Sequence, residues 1–146
     1  MPTLKLKKLE NLLQISKNFL MIDDVNIDVK KKLAKANKQF NKNVWFYNDH
    51  FLDQPMMPGT LQVEAMLQTT VSLIYTLNKS TDTKVLIISE NSKFLDKINL
   101  SGKLIIESKL TKINRGIIDA RAFIKFKNKK VSESEFRSID PKKFKI

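Results

Sequence analysis

From Gly59 to Leu77 the chain carries a single charged side chain, Glu64, although 29% of all residues are charged. No other feature restricts the fold as strongly. Leu61, Val63, Ala65, Met66, Leu67, Val71, Leu73, Ile74 and Leu77 fall on several sides of a helical projection rather than along one stripe. A helix that is apolar nearly all round is a buried helix, enclosed by the rest of the molecule. At 1.5 Å per residue it would reach roughly 28 Å, enough to run through the middle of a wrapped sheet.

The segments that could wrap it read as strands. Residues 84–91 form a short run rich in Val and Ile, the pattern of a buried strand. Residues 103–112 and 117–127 flank the turn Asn114-Arg115-Gly116. In the second of these, Ile118, Ala120, Ala122, Ile124 and Phe126 alternate with Asp119, Arg121, Phe123, Lys125 and Lys127. That period puts one face on a core and the other toward water. Asn128-Lys129-Lys130 suits a hairpin turn into a last strand over 131–138, and the lysine-rich tail beyond Pro141 reads as frayed. Toward the N-terminus, Leu6, Leu9, Leu12 and Leu13 space a short amphipathic helix over 5–14. Residues 19–22 suit a strand that runs into a turn at Asp23-Asp24-Val25. Residues 29–40 are ambiguous, with alanines and lysines that favour a helix and poor alternation for either state. The coarse class is α+β. With 146 residues, no repeat and no linker-like stretch, one domain spanning 1–146 is expected.

Composition narrows the chemistry. Without cysteine there are no disulfides, thiolate zinc sites or cysteine nucleophiles, which agrees with a cytoplasmic location. The basic N-terminus lacks an apolar signal core, and no stretch supplies the roughly 20 apolar residues of a membrane span. The net charge of +12 favours a polyanionic partner, or simply decorates solvated faces. Lysine supplies most of it; Arg115, Arg121 and Arg137 are the arginines, whereas bidentate reading of bases or phosphates usually recruits arginine.

Three features converge on residues 50–64. His50 is the only histidine, Pro55, Pro58 and Gly59 follow it, and Glu64 then stands on the uncharged helix. Burial raises a carboxyl pKa toward the range of a general acid. A glycine at a helix entry permits close approach to the free N–H groups there, which with the dipole can hold an oxyanion. A base, an acid and an oxyanion hole are the requirements of proton abstraction beside a carbonyl followed by β-elimination. A nucleic-acid-binding protein, the rival suggested by the charge, leaves the helix, His50 and Glu64 unexplained.

His50-Phe51 and the run Pro55-Met56-Met57-Pro58-Gly59-Thr60-Leu61-Gln62-Val63-Glu64-Ala65-Met66-Leu67-Gln68 resemble the active-site signature of bacterial 3-hydroxyacyl-(acyl carrier protein) dehydratases. Residues 19–23 look like that family's first strand, 93–104 like its middle loop and strand, and 115 onward like its final hairpin. Leu52-Asp53 departs from the Pro-Gly that often follows His-Phe, and Ser101 replaces a usual proline. The resemblance implies a hot-dog fold, a curved antiparallel sheet wrapped around a long central helix, with residues 29–40 as a strand. It implies catalysis by His50 and Glu64, with the Gly59 N–H on the thioester carbonyl and an apolar tunnel lined by Phe51, Met57 and Met66. It also implies a homodimer with sites at the interface, or three such dimers as a hexamer. The partner would be an acyl carrier protein with its phosphopantetheine-linked chain, and no metal or redox cofactor is called for. Glutamate at position 64, where isomerising relatives carry aspartate, points to plain dehydration. Thioester hydrolysis and dehydration in a specialised acyl pathway are the nearest alternatives.

Overall fold

In the computed structural model, residues 3–79, 84–99 and 101–144 are described. The elements follow as β1 (Thr3–Lys5), α1 (Leu6–Leu13), β2 (Asp24–Asp28), β3 (Leu33–Phe40), α2 (Trp45–Asp49) and α3 (Gly59–Asn78). Then come β4 (Leu86–Phe94), β5 (Gly102–Asn114), β6 (Ile117–Phe126), β7 (Lys129–Ile139) and α4 (Pro141–Phe144). The strands form one seven-stranded antiparallel sheet in the order β1-β2-β3-β5-β6-β7-β4. The uncharged segment is α3, and it packs against β5, β3 and β6, with α1 alongside. A sheet wrapped on one long helix is the hot-dog arrangement.

The register shows why a helix fits there. Ala34 pairs with Ser108, Ser108 with Ala122, Ala122 with Ser134, and Ser134 with Ser92. Directly paired residues share a face of the sheet. Five small side chains therefore line up across five strands as a trough. At mid-helix, Thr70 Oγ meets Ser108 Oγ across it at 2.7 Å. The buried Ser and Thr hydroxyls of α3 bond back within the helix: Thr69 donates to the Ala65 carbonyl, Thr70 to Met66 and Ser72 to Gln68, at 2.9, 2.8 and 2.7 Å. Larger side chains flank the trough. Leu104, Ile106, Ile124 and Phe136 are buried from the sheet, and Ala65, Met66, Leu73 and Ile74 from the helix.

The alternation read over 118–126 is reproduced: Ile118, Ala120, Ala122, Ile124 and Phe126 are all buried. On the opposite face Arg137 forks onto Asp119 at 2.8 and 2.9 Å. Residues 29–40 resolve into a turn followed by β3, where Ala34 and Ala36 face the core; sheet pairing overrides the helix-favouring composition.

Several expectations are corrected. The strand expected at 19–22 lies later, at Asp24–Asp28, where Val25 and Ile27 alternate inward. Leu20, Met21 and Ile22 are buried without joining the ladder, and the Met21 N–H is bound instead by Gln68 Oε1 at 2.7 Å. The strand after α3 is an edge and not buried: Leu86 and Ile88 are exposed, and among the described residues β4 pairs only with β7. The last hairpin turns at Lys127 and Asn128, both with positive φ, so β7 begins at Lys129, two residues earlier than expected. The tail past Pro141 begins as the single turn α4 rather than fraying at once; residues 145–146 lie outside the described residues.

At the start of β5, a Cβ on Gly102 would stand 2.5 Å from Cε2 of Phe126, a ring only 6% exposed. That ring has nowhere to go. Gly102→Ala is expected to destabilise the protein by ~1–3 kcal/mol, seen as a lower denaturant midpoint at unchanged slope.

Candidate active site

Aromatic packing places the histidine. Phe46 and Tyr47 bury one face of α2, and the Phe46 ring meets Phe40, Trp45 and Tyr47 edge-on at 5.1, 5.5 and 4.9 Å. His50 caps this anchored turn, its N–H donating to the Phe46 carbonyl at 2.8 Å. The chain then loops back: Met56 N–H donates to the His50 carbonyl at 2.7 Å, and Met57 N–H to Ile98 at 2.7 Å. The loop thus ties the histidine to the segment after β4.

The ring orientation has a chemical consequence. His50 Nδ1 lies 3.1 Å from the Met56 carbonyl oxygen, which can only accept, so Nδ1 carries the proton. In the neutral imidazole Nε2 is then the basic nitrogen. The Phe51 ring stacks on the imidazole at 3.9 Å. Around His50 opens a cleft of about 610 Å³, lined by Met56, Met57, Pro58, Gly59, Thr60, Gln62 and the run Phe94 to Lys97. Gly59 is the first residue of α3, so its N–H belongs to the helix's unpaired first turn. Among the expected tunnel residues, Met57 is buried on the cleft wall, Phe51 is half exposed beside His50, and Met66 is fully buried in the core, away from the cleft.

Glu64 is placed differently. It is half-buried on a helix stripe with Val63, Leu67 and Val71, and it does not line the His50 cleft of its own chain. Burial pushes its carboxyl pKa above the ordinary range, against the lowering effect of a hydrogen bond from Gln68. Gln68 Nε2 donates to Glu64 Oε1 and to the Phe19 carbonyl, both at 2.9 Å, while Gln68 Oε1 accepts the Met21 N–H. A fully engaged buried amide therefore fixes the carboxyl. Gln68 stands in the sequence motif, but only its i+4 spacing from Glu64 hints at the role. Gln62 also escaped the sequence reading. It is 3% exposed, its Nε2 donates to the Met57 carbonyl at 3.3 Å, and its Oε1 has no partner among the described residues.

A carboxyl whose pKa is raised on folding binds its proton more tightly in the native state. Ionising it costs stability above the raised pKa, and the cost vanishes below the unfolded value near 4.5. Glu64→Gln, which keeps an acceptor for Gln68, is expected to melt higher than wild type at neutral pH. The gain should shrink as pH falls through the raised pKa and be absent in acid, as read by thermal denaturation across pH.

A family profile described as a FabA-like domain matches residues 14–135. The chain belongs to the FabA-like family. A curated relative, the 3-hydroxyacyl-(acyl carrier protein) dehydratase FabZ of Bartonella henselae, is 32% identical over 140 residues, covering 94% of this chain and 90% of that protein. Among solved structures, the dehydratase heterocomplex ApeI:P from Xenorhabdus doucetiae superposes with a TM-score of 0.73 at 12% identity, covering 91% and 90% of the two chains. A putative thioesterase, a phenylacetic acid degradation-related protein from Ralstonia eutropha, gives 0.65 at 14% identity, covering 79% and 82%. At such identities the structural neighbours establish the shared hot-dog fold. FabA-like membership carries the expected signature region entirely within the matched residues. Among the described residues no helix is long and apolar enough to cross a membrane.

Proposed function

We propose that this FabA-like protein dehydrates (3R)-3-hydroxyacyl thioesters on acyl carrier protein to trans-2-enoyl thioesters, in fatty-acid biosynthesis or a related acyl pathway. The observation that carries the reading is the His50 imidazole, held by its Nδ1–H on the Met56 carbonyl beside the first turn of α3. His50 Nε2 takes the C2 proton while the Gly59 N–H stabilises the developing enolate oxygen. Glu64 in its protonated form, which burial favours, gives its proton to the departing C3 hydroxyl, which leaves as water. Its raised pKa supports that role.

The acid comes from a second copy of the chain. Glu64 does not line the His50 cleft of its own chain, and among the described residues β4 has one unpaired edge, with Leu86 and Ile88 exposed. An apolar, unpaired edge strand is a template for pairing with another chain. A twofold dimer formed along it creates two equivalent sites. The acidic carrier docks on the basic rim, where Lys97 borders the His50 cleft and Lys127 and Lys129 line the adjoining pocket with Asp96.

Product analysis tests the reaction. The purified protein and a 3-hydroxyacyl carrier thioester should yield enoyl thioester, seen by its absorbance, and the reverse hydration should also run. Free acid and thiol would mean hydrolysis instead, and inactivity at every chain length would end the assignment.

A further inference from the structure

Gly59 has no side chain, and the space for one is already occupied. A Cβ there would lie 2.9, 3.0 and 3.2 Å from Cζ, Cε1 and Cε2 of Phe94. Phe94 ends β4, in register with Ser132 of β7. The backbone just after it is fixed, because the Leu95 and Asp96 N–H groups both donate to the Val131 carbonyl, at 2.8 and 3.2 Å. Ser132 is too small to hold the ring on the sheet, and the ring reaches across to the first residue of α3. There it stays 53% exposed, on the wall of the cleft that holds His50.

We propose that Phe94 is a positioning residue of this site, its ring forming the wall that holds the thioester carbonyl on the Gly59 N–H and keeps water from it. The inference rests on the dehydratase reading above. A hydrogen bond to a developing enolate oxygen is worth most where water is excluded and the donor needs no reorganisation. Beside the Gly59 N–H an aromatic surface supplies that dry flank. On this account position 59 must be glycine because of Phe94, and not because the substrate needs the space. A methyl group at 59 pushes on the far, exposed end of the ring, which can swing away, so Gly59→Ala folds but displaces the wall.

A double-mutant cycle on the full-length protein tests this, with kcat and KM measured separately on a 3-hydroxybutyryl carrier thioester. Phe94→Ala should lower kcat by about tenfold or more with a smaller change in KM, and Phe94→Tyr should retain most of the rate. Gly59→Ala should cost about tenfold alone but less than about twofold when Phe94 is already alanine. Unchanged kcat in Phe94→Ala, or losses that simply multiply, would overturn the proposal. Light scattering adds a control, because a monomeric Phe94→Ala would assign the ring to assembly and overturn it too. If Phe94→Ala does not fold, Phe94→Leu carries the same cycle. An active wild type with an unimpaired Phe94→Ala ends this inference alone, whereas a wild type inactive on every 3-hydroxyacyl thioester ends the dehydratase reading and this one with it.

Discussion

His50→Ala and Glu64→Gln are each expected to lower the rate of 3-hydroxyacyl thioester dehydration by ~10²–10⁴-fold, the range for losing one general acid or base. The two losses have different causes. Alanine at 50 removes the only imidazole of the chain, and with it the nitrogen that the Met56 carbonyl leaves basic. Glutamine at 64 keeps size and polarity and still accepts from Gln68, but has no proton to give to a leaving hydroxyl. Folding should survive both changes, since the histidine is partly exposed and Glu64→Gln relieves the burial of a charge. A variant pair that keeps wild-type kcat would remove both residues from the mechanism. A loss confined to KM would make them binding groups instead.

The second large effect is recovery of activity on mixing the two inactive variants. When they are produced together in equal amounts, half of the dimers pair unlike subunits. Each such dimer builds one intact site, from His50 of the Glu64→Gln chain and Glu64 of the His50→Ala chain. About a quarter of wild-type activity should return, or about half in heterodimers isolated by two different tags. Nothing would return if each site used both groups of one chain. The expectation follows from the monomer, in which the His50 cleft is lined by the α3 N-terminus and the 94–97 segment but not by Glu64.

Much of this was legible before folding because it rests on local chemistry. Charge scarcity over 59–77 gave the helix within one residue of its end at Asn78, because an uncharged cylinder is stable only when enclosed. Alternation over 118–126 gave β6 and its inward face, since pleating fixes which side each residue takes. The Val/Ile run that became β4 shows the limit. Its composition suits any strand, and only the sheet order reveals that one side has no neighbour among the described residues. The strand misplaced at 19–22 has a similar origin. Leu20, Met21 and Ile22 are as buried as strand residues, but their polar partner is a distant helix side chain, Gln68.

By itself the sequence determined the central helix and the coarse α+β class, and it singled out candidates for base, acid and oxyanion donor. These follow from periodicity, charge and the chemical nature of His50, Glu64 and Gly59. Only the tertiary structure decided how they stand to one another. It set the small-residue trough from Ala34 to Ser92, the proton on His50 Nδ1, the Gln68 clamp on Glu64 and the Phe94 ring on Gly59. The proton on His50 depends on the path of the loop. The Gln68 clamp, at i+4 from Glu64, is itself held by the Phe19 carbonyl and the Met21 N–H far along the chain. The trough and the Phe94 contact join groups with no local signal connecting them. The sheet's register brings them within contact distance, and period-two alternation along one segment excludes one-residue slips but leaves the two-residue slips that decide which residues meet.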